Sequence, residues 1–491
     1  MSSKLAGLGA GLGLLVVGVA LALGTTMPVS PLPALSAAVG LAMLPLILRH
    51  AGVALVVFVS VVVTELSGVV GERGPLGLYS LTLLLVAASL LHGLRRREIT
   101  LPWSPVFLYA LFFLAALALS VFVARDISGA TIRVLELAGG MVTLFVVAIL
   151  LNSTRRYITT AKVAVVLLTG LAGLSLVQEF VLHNSTTFGG LSNVPVLTAD
   201  VGGTTARHSG PLRDANYWAQ HLVLFIPLAL SFAAHSRSVR AKLMWGGALA
   251  VLGGGLYLTQ SRGGILSLGL VIIVWLLSLG RRYARWLIAM PAVLLVLMLT
   301  PGVGSRLMTL ADLREARSGG GDASLVQRTD VQEAGLAMFL DHATVGVGAG
   351  NFSLIEPEYA RRLGLAHASP LAPHNLYLEM AAEAGVLGLT TWLLFYGCAM
   401  FVAVRALVLL RRLDPSPTPS LAVLLAAGLV AGLAGWALTS LFLHLVGLRP
   451  LLVVIGFAAA LDLDTRERSG LPANLFRPSL PAPAGGPALA R

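Results

Sequence analysis

Residues 420–446 read SLAVLLAAGLVAGLAGWALTSLFLHLV, a stretch without Asp, Glu, Lys or Arg. An apolar run of about 18 residues or more is long enough to cross the hydrocarbon layer of a bilayer as a helix. A helix satisfies its backbone polar groups internally, which lipid requires. The stretch therefore predicts a membrane-spanning helix, and the same pattern recurs along the chain.

The composition of the whole chain agrees with this stretch. Of the 491 residues, 57% are hydrophobic and 11% are charged, whereas soluble domains carry roughly 25% charged residues. This balance excludes a disordered chain, a coiled coil and an ordinary soluble enzyme. We predict an all-α integral membrane protein, a polytopic bundle of about 12–14 transmembrane helices. The candidate segments are 6–24, 33–48, 52–70, 76–94, 103–123, 131–151, 158–182, 215–234, 242–260, 263–280, 286–300, 376–404, 420–446 and 449–462.

The positions of the basic residues predict the orientation of the bundle. Cytoplasmic loops carry an excess of Lys and Arg, and alternating crossings bring the basic loops to one side. We therefore place that side, and the N-terminus, in the cytoplasm. The basic positions are Lys4, Arg49, Arg95, Arg96, Arg97, Arg155, Arg156, Arg237, Arg240, Lys242, Arg281, Arg282, Arg285, Arg411 and Arg412.

Two long loops then fall on the extracytoplasmic side. They divide the chain into N-terminal transmembrane helices, a first loop, central transmembrane helices, a large loop with catalytic elements, C-terminal transmembrane helices and a disordered cytoplasmic tail rich in Pro, Ala and Gly. The corresponding ranges are 1–182, 183–213, 214–300, 301–375, 376–465 and 466–491.

The net charge of +12 does not predict a nucleic-acid partner. The positive charges are dispersed over short loops, as membrane topology requires, and form no basic helix or patch. The single cysteine, Cys398, excludes a disulfide framework. Because His, Cys, Asp and Glu form no cluster with metal-ligand spacing, we expect no metal and no cofactor.

The large outer loop contains a predicted helix. Ser324 and Gln327 fit a capping box, and the apolar residues that follow recur at helical spacing up to Asp341. Arg328 belongs to the apolar face of this helix, near its N-terminus, where anions are favoured. It is either a phosphate clamp or a structural ion pair. The alternating glycines of residues 346–350 predict close backbone packing and no dinucleotide site.

His374 and Asn375 lead directly into the next long helix, and Asn375 is a good N-cap. His374 then lies at the outer membrane surface, either as a general base or phosphate donor, or as an interfacial histidine bonded to the loop. Glu379 and Glu383 follow on one face of that helix. Ionisable groups inside a span are candidate functional residues.

Two further outer positions are candidates. Arg262 lies in a tight link between two apolar segments, where it either binds an anion or snorkels to lipid headgroups. Asp214 caps the segment that begins at 215, and Arg213 and Asn216 face the same outer vestibule. The outer face thus gathers arginines and a histidine, which favours charge stabilisation of a leaving phosphate over metal assistance.

The order of these motifs resembles the O-antigen ligase and polymerase superfamily. The matching stretches are Gln327–Phe339, Gly346–Phe352, His374–Glu379, Glu383–Gly388 and Ser261–Gly264. The resemblance is specific over about 210–395 and only topological before that.

The resemblance implies a GT-C-like bundle that transfers glycan from an undecaprenyl-diphosphate carrier to an acceptor hydroxyl, without a metal or cofactor. Its partners would be this donor, a lipid or glycan acceptor and membrane lipids, in the bacterial inner membrane. It implies that Arg262 and Arg328 hold the diphosphate and that His374 activates the acceptor hydroxyl. We expect five further residues to bind substrate: Arg213, Asp214, Asn216, Asn375 and Glu379.

Three other functions stay open at this point. One is a structural membrane scaffold, which would not need an ordered outer loop that carries arginines. A polymerase would extend glycan on its own carrier with the same donor chemistry. A lipid-linked glycan transporter would need charged residues near the middle of several spans and a pair of repeats, and we find neither in the sequence.

Overall fold

The computed structural model describes residues 47, 50–70, 78–95, 103–151, 153–200, 203–289, 323–365, 372–416, 418–445 and 448–471. In these ranges the structure is almost entirely helical. The helices are α1 (Ala51–Val63), α2 (Leu66–Val70), α3 (Leu78–Arg95), α4 (Pro105–Val121), α5 (Ile127–Leu150), α6 (Thr154–Phe180), α7 (Ala215–His235), α8 (Val239–Leu258), α9 (Arg262–Ser278), α10 (Arg281–Ala284), α11 (Ala323–Asp341), α12 (Phe352–Leu363), α13 (Leu376–Leu413), α14 (Leu421–Thr439) and α15 (Leu448–Arg468).

The chain is an all-α multi-pass membrane protein, as predicted. Within the described ranges, six helices are long and apolar enough to cross a bilayer: α5, α6, α7, α8, α13 and α14. Shorter apolar helices accompany them, among them α1, α4 and α9. The predicted segments 6–24 and 33–48 lie outside the described residues, apart from Ile47, and most of 286–300 does too.

Helix α14, which forms most of the 420–446 stretch, packs against α7 and α9. Its glycines allow this close approach, because a Cβ at Gly432 would lie 2.5 Å from the carbonyl oxygen of Leu224 on α7. Ser231 of α7 bonds across this contact to the carbonyl of Leu424 at 2.7 Å. Small residues and interhelical hydrogen bonds are the usual means of helix association in lipid.

The structure corrects several predicted boundaries. Segment 52–70 is two helices, since Glu65 between them has a φ of 50°. Helix α11 begins at or before Ala323, so Ser324 lies inside it and is not its N-cap. Helix α14 ends at Thr439, which leaves His444 in a loop. Helix α15 continues to Arg468, beyond the predicted start of the tail, and residues 472–491 lie outside the described residues.

The loop between α6 and α7 adds a small departure from the all-α prediction. It contains an antiparallel hairpin of β1 (Val196–Asp200) and β2 (Gly203–Arg207). The hairpin is tied to the helices, because the side chain of Arg207 donates to the carbonyl of Thr259 at 3.1 Å and to Oδ1 of Asn216 at 2.9 Å.

Helix α13 is broken at Gly385, which has φ 65° and ψ −162°. The break frees two carbonyls, of Ala382 and Glu383, which accept hydrogen bonds from the amides of Val347 and Gly348, both at 2.9 Å. It also frees the amide of Val386, which donates to the carbonyl of Ala343 at 2.7 Å. The loop after α11 therefore provides hydrogen-bond partners for the backbone groups that the break in α13 frees.

The predicted close packing of the loop glycines is confirmed. A Cβ at Gly346 would lie 2.3 Å from the backbone of Glu383, and a Cβ at Gly348 would lie 2.4 Å from Ala124. Both glycines have positive φ values, 70° and 101°. Only glycine combines this backbone with such close contacts.

The basic segments 281–285, after α9, and 411–412, at the end of α13, lie together at one end of the bundle, and we call them the basic links. The side chain of Arg411, at the end of α13, donates to the carbonyl of Ser278 at the end of α9. The starts of α7, α9 and α13 and the end of α14 lie at the opposite end, which we call the site end.

Candidate functional site

The site end brings His374 together with two residues from other elements. The rings of His374 and His444 contact each other edge to face, with centroids 5.5 Å apart. The hydroxyl of Tyr217, in the first turn of α7, lies 2.8 Å from Nδ1 of His444 and donates to its carbonyl at 3.2 Å. Neither Tyr217 nor His444 is among the site residues predicted from the sequence. The signal available for His444 was an ionisable residue in a predicted span.

Charged side chains surround His374. Its pKa is lowered, first by burial and then by the positive charge of Arg328, while Asp214 acts in the opposite direction. The structure thus brings together Arg328, His374 and Asp214, which the sequence placed on one face. A lowered pKa keeps the imidazole neutral at physiological pH, the form that accepts a proton.

The Nδ1 atom of His374 is buried and has no hydrogen-bond partner among the described residues. The residue also has a φ of 46°, which is uncommon outside glycine. Strained backbones of this kind occur often at active sites. The predicted cap next to it is confirmed, since Oδ1 of Asn375 accepts hydrogen bonds from the amides of Tyr377 and Leu378 at 3.0 and 3.1 Å.

Arg328 lies in the first part of α11, on the face that packs inward. Val331, Ala334 and Met338 on that face are buried and form a cluster with Phe352 and neighbouring apolar residues. The predicted apolar stripe is therefore confirmed. Gly335 completes it, since a Cβ there would lie 2.9 Å from the Phe352 ring. This packing directs Arg328 toward the site end, where its charge acts on His374.

Arg262 is the first residue of α9, directly after Ser261, whose hydroxyl accepts from the amide of Gly264 at 3.2 Å. A Cβ at Gly263 would lie 3.1 Å from the ring of Phe442, two residues before His444. Arg262 therefore lies at the edge of the loop that carries His444.

Asp214 has a structural function as well as a place beside His374. Its Oδ1 accepts hydrogen bonds from the amides of Asn216 and Tyr217 at 2.7 and 3.4 Å, which confirms the predicted cap of α7. Arg213 is exposed, and Arg207 holds the side chain of Asn216.

A cavity of about 260 Å³ opens beside these residues. Arg213, Asp214 and Tyr217 line its site end, His221 lines it further along α7, and Glu65 lines it from the turn between α1 and α2. Trp436 and leucine and proline side chains form much of the remaining wall. The cavity therefore lies beside Tyr217, whose hydroxyl contacts His444.

The two glutamates of α13 make contacts that the sequence did not predict. Glu383 accepts hydrogen bonds from the amides of Gly350 and Phe352 at 2.7 and 3.2 Å. Glu379 accepts from the amide of Leu445, and its other oxygen lies 3.9 Å from Arg133. Both glutamates lie before the break at Gly385. The part of α13 after the break, residues 386–413, is about 42 Å long at about 1.5 Å per residue, so it is long enough by itself to cross the hydrocarbon layer. Glu383 therefore stabilises the glycine loop, and Glu379 the His444 loop.

Among the described residues, His, Cys, Asp and Glu form no group of three or more that could hold a metal ion. The cationic and imidazole groups of the site instead fit an anionic substrate and proton transfer.

Comparison with known proteins adds the family. Residues 247–393 match the O-antigen ligase family. These residues are therefore similar to an O-antigen ligase domain. The similarity indicates a membrane enzyme that processes glycan, of the O-antigen ligase and polymerase type. No curated protein matches the chain.

The matched region contains Arg262, Arg328 and His374 but not the whole site. Asp214 and Tyr217 precede it, and His444 follows it. The site is thus assembled from the matched region and from segments on both sides of it.

Proposed function

We propose that the protein is a metal-independent membrane glycosyltransferase of the O-antigen ligase type. It transfers glycan from an undecaprenyl-diphosphate carrier to an acceptor hydroxyl on the extracytoplasmic face of the bacterial inner membrane. The observation that supports this most is the convergence of Arg328, Asp214 and a partly buried His374 at the site end, where the ring of His374 contacts that of His444.

The reaction follows from the groups present. The acceptor oxygen attacks the anomeric carbon of the glycan, and the bond from that carbon to the diphosphate oxygen breaks. His374 takes the proton from the acceptor hydroxyl, which requires the neutral imidazole. Arg262 and Arg328 stabilise the negative charge that grows on the leaving diphosphate. Guanidinium groups suit this function because they bind phosphate oxygens bidentately.

The remaining predicted residues shape the binding surface. Arg213 lies at the cavity and is proposed to contact substrate directly. Asp214, Asn216, Asn375 and Glu379 are already engaged with backbone or arginine groups of the protein. Their proposed contribution to substrate binding is therefore to hold the ends of α7 and α13 and the His444 loop in place.

The sidedness of the reaction is proposed from charge. The basic links between helices lie at the end opposite to the site, and such links remain in the cytoplasm. The site end then faces outward, where a lipid-linked donor and its acceptor meet.

The test uses purified full-length protein in lipid nanodiscs with a defined undecaprenyl-diphosphate glycan and candidate acceptors. Arg262→Ala and Arg328→Ala should each lower the transfer rate by about 100-fold or more, the usual effect of removing a transition-state donor. Arg412→Ala, an exposed residue at the opposite end, is the matched control and should retain the rate. Wild-type rates in both site variants would contradict the assigned functions.

The same incubation separates the ligase from the polymerase. Mass spectrometry of the reducing end of the product should show glycan bound to a new acceptor. Glycan extended on the lipid carrier would instead identify a polymerase, and movement of labelled donor across the membrane without bond formation would identify a transporter.

A further inference from the structure

His374 is oriented by few contacts in the part of the chain that the structure describes. Its Nδ1 atom is buried without a hydrogen-bond partner there. A general base needs a defined direction, since misplacement by about 1 Å can cost about 100-fold in rate. Its ring makes an edge-to-face contact with His444, at an interplanar angle of 78°.

His444 itself is firmly held. The hydroxyl of Tyr217 contacts both its Nδ1 and its carbonyl oxygen, at 2.8 and 3.2 Å. A hydroxyl has one donor and two acceptor sites, so both contacts form together when Nδ1 carries the proton. The next residue is also fixed, because the amide of Leu445 donates to Glu379 and its carbonyl accepts from Arg133.

These contacts connect three distant parts of the chain. Tyr217 belongs to α7, Glu379 to the first part of α13, and Arg133 to α5. Leu376, at the start of α13, donates from its amide to the carbonyl of Ser440 in the same loop at 2.9 Å. The His444 loop is therefore anchored on several sides beside the segment that carries His374.

We propose that His444, held by Tyr217, is a positioning residue for His374. Its ring sets the direction of the His374 imidazole and excludes water from one face of it. The inference rests on the proposed function, in which His374 accepts the proton of the acceptor hydroxyl.

The charges around His374 and His444 agree with a contribution of the His444 ring through packing and not through charge. Arg328 and Asp214 act on His374. His374, Arg133 and Asp214 act on His444, and burial lowers the pKa of His444 to about 4. His444 is therefore neutral at physiological pH and adds no charge beside the base. Loss of its ring would hydrate His374 and raise the pKa of His374 toward its ordinary value.

The experiment compares His444→Ala, His444→Phe and Tyr217→Phe with His342→Ala in nanodiscs. His342 is an exposed histidine just after α11 and provides the matched control. His444→Ala should lower kcat by about 10- to 100-fold with KM within about threefold. The acid limb of its pH–rate profile should move to higher pH. His444→Phe keeps an aromatic ring and should recover much of kcat, and Tyr217→Phe should fall between them.

A second measurement is independent of catalysis. The rate at which diethyl pyrocarbonate modifies His374, followed by mass spectrometry as a function of pH, reports the pKa of His374. His444→Ala should raise this pKa, while His444→Phe and His342→Ala should leave it close to that of the wild type.

The outcomes of the two proposals are distinguishable. If the wild type transfers no glycan, the proposed function fails, and the modification profile of His374 still tests the contact with His444. If the wild type transfers glycan but His444→Ala changes neither kcat nor the acid limb, the positioning proposal is wrong. An equal loss in His444→Ala and His444→Phe without a change in the pH profile would also overturn it.

Discussion

Arg328 acts on His374 through its charge, in addition to its proposed contact with the substrate. Its guanidinium lowers the pKa of His374, in the same direction as burial does. A base with a lowered pKa stays neutral to lower pH, so the cation widens the pH range of the site on the acid side. In the proposed reaction the same cation also stabilises the diphosphate, so that one residue would serve both the base and the leaving group.

Arg328→Gln should therefore raise the pKa of His374, because it removes the neighbouring positive charge. As the pH is lowered, His374 in the variant is then protonated at a higher pH than in the wild type. Its rate of modification by diethyl pyrocarbonate should decrease over the same, higher pH range. Arg328→Lys keeps the charge and should leave this profile nearly unchanged, yet still transfer glycan poorly, because an ammonium cannot replace the bidentate fork. Identical pH profiles of His374 modification in Arg328→Gln and in the wild type would contradict the electrostatic effect of Arg328 on His374.

At the scale of elements, the break in α13 organises the loop that follows α11. The backbone groups freed at Gly385 are satisfied by residues 343–348, and Glu383 binds the amides of Gly350 and Phe352. Non-helical backbone at membrane depth is tolerated where protein buries it. The glycine motif of the sequence is thus a packing motif that joins the loop to α13.

Gly385→Ala should destabilise the protein strongly. A Cβ at this position would lie 2.3 Å from the backbone of Thr344, and the φ of 65° with ψ of −162° is essentially restricted to glycine. We expect a loss of about 3 kcal/mol or more in the free energy of unfolding, measured by denaturation in detergent micelles.

Gly397→Ala is the matched control on the same helix, since no atom lies within 4 Å of its added Cβ. It should leave stability unchanged or slightly higher, because alanine favours helix over glycine by about 1 kcal/mol. Equal stability of the two variants would show that the break is not required.

At the scale of the whole molecule, the two ends of the bundle carry different groups of side chains. One end carries the basic links, and the other carries Arg328, His374 and His444. Between these ends, helices α7, α9 and α14 pack closely against one another. This separation is what the proposed extracytoplasmic reaction requires.

The lone cysteine offers a direct test of this orientation. In a Cys398→Ser background, we expect His342→Cys to react with a membrane-impermeant maleimide on intact spheroplasts. Ser416→Cys should react only in inside-out vesicles, because it lies at the basic end. Both positions are exposed. Labelling in the opposite sense would place the site in the cytoplasm and contradict the proposed function.

The sequence by itself determined the class of the protein, most of the described helices and the grouping of the basic links. These properties depend on local hydropathy and charge, which act on each segment separately. It also indicated Arg328, His374 and the caps of α7 and α13, because spacing along one helix determines a shared face.

Only the tertiary structure decided which residues meet. Tyr217 and His444 are far apart in sequence and come together through the packing of α7 against α14. The contacts of Glu379 and Glu383, the break at Gly385 and the partners of its freed backbone groups depend in the same way on neighbours from other elements. Side-chain contacts between distant segments follow from three-dimensional packing, and no local pattern of the chain specifies them.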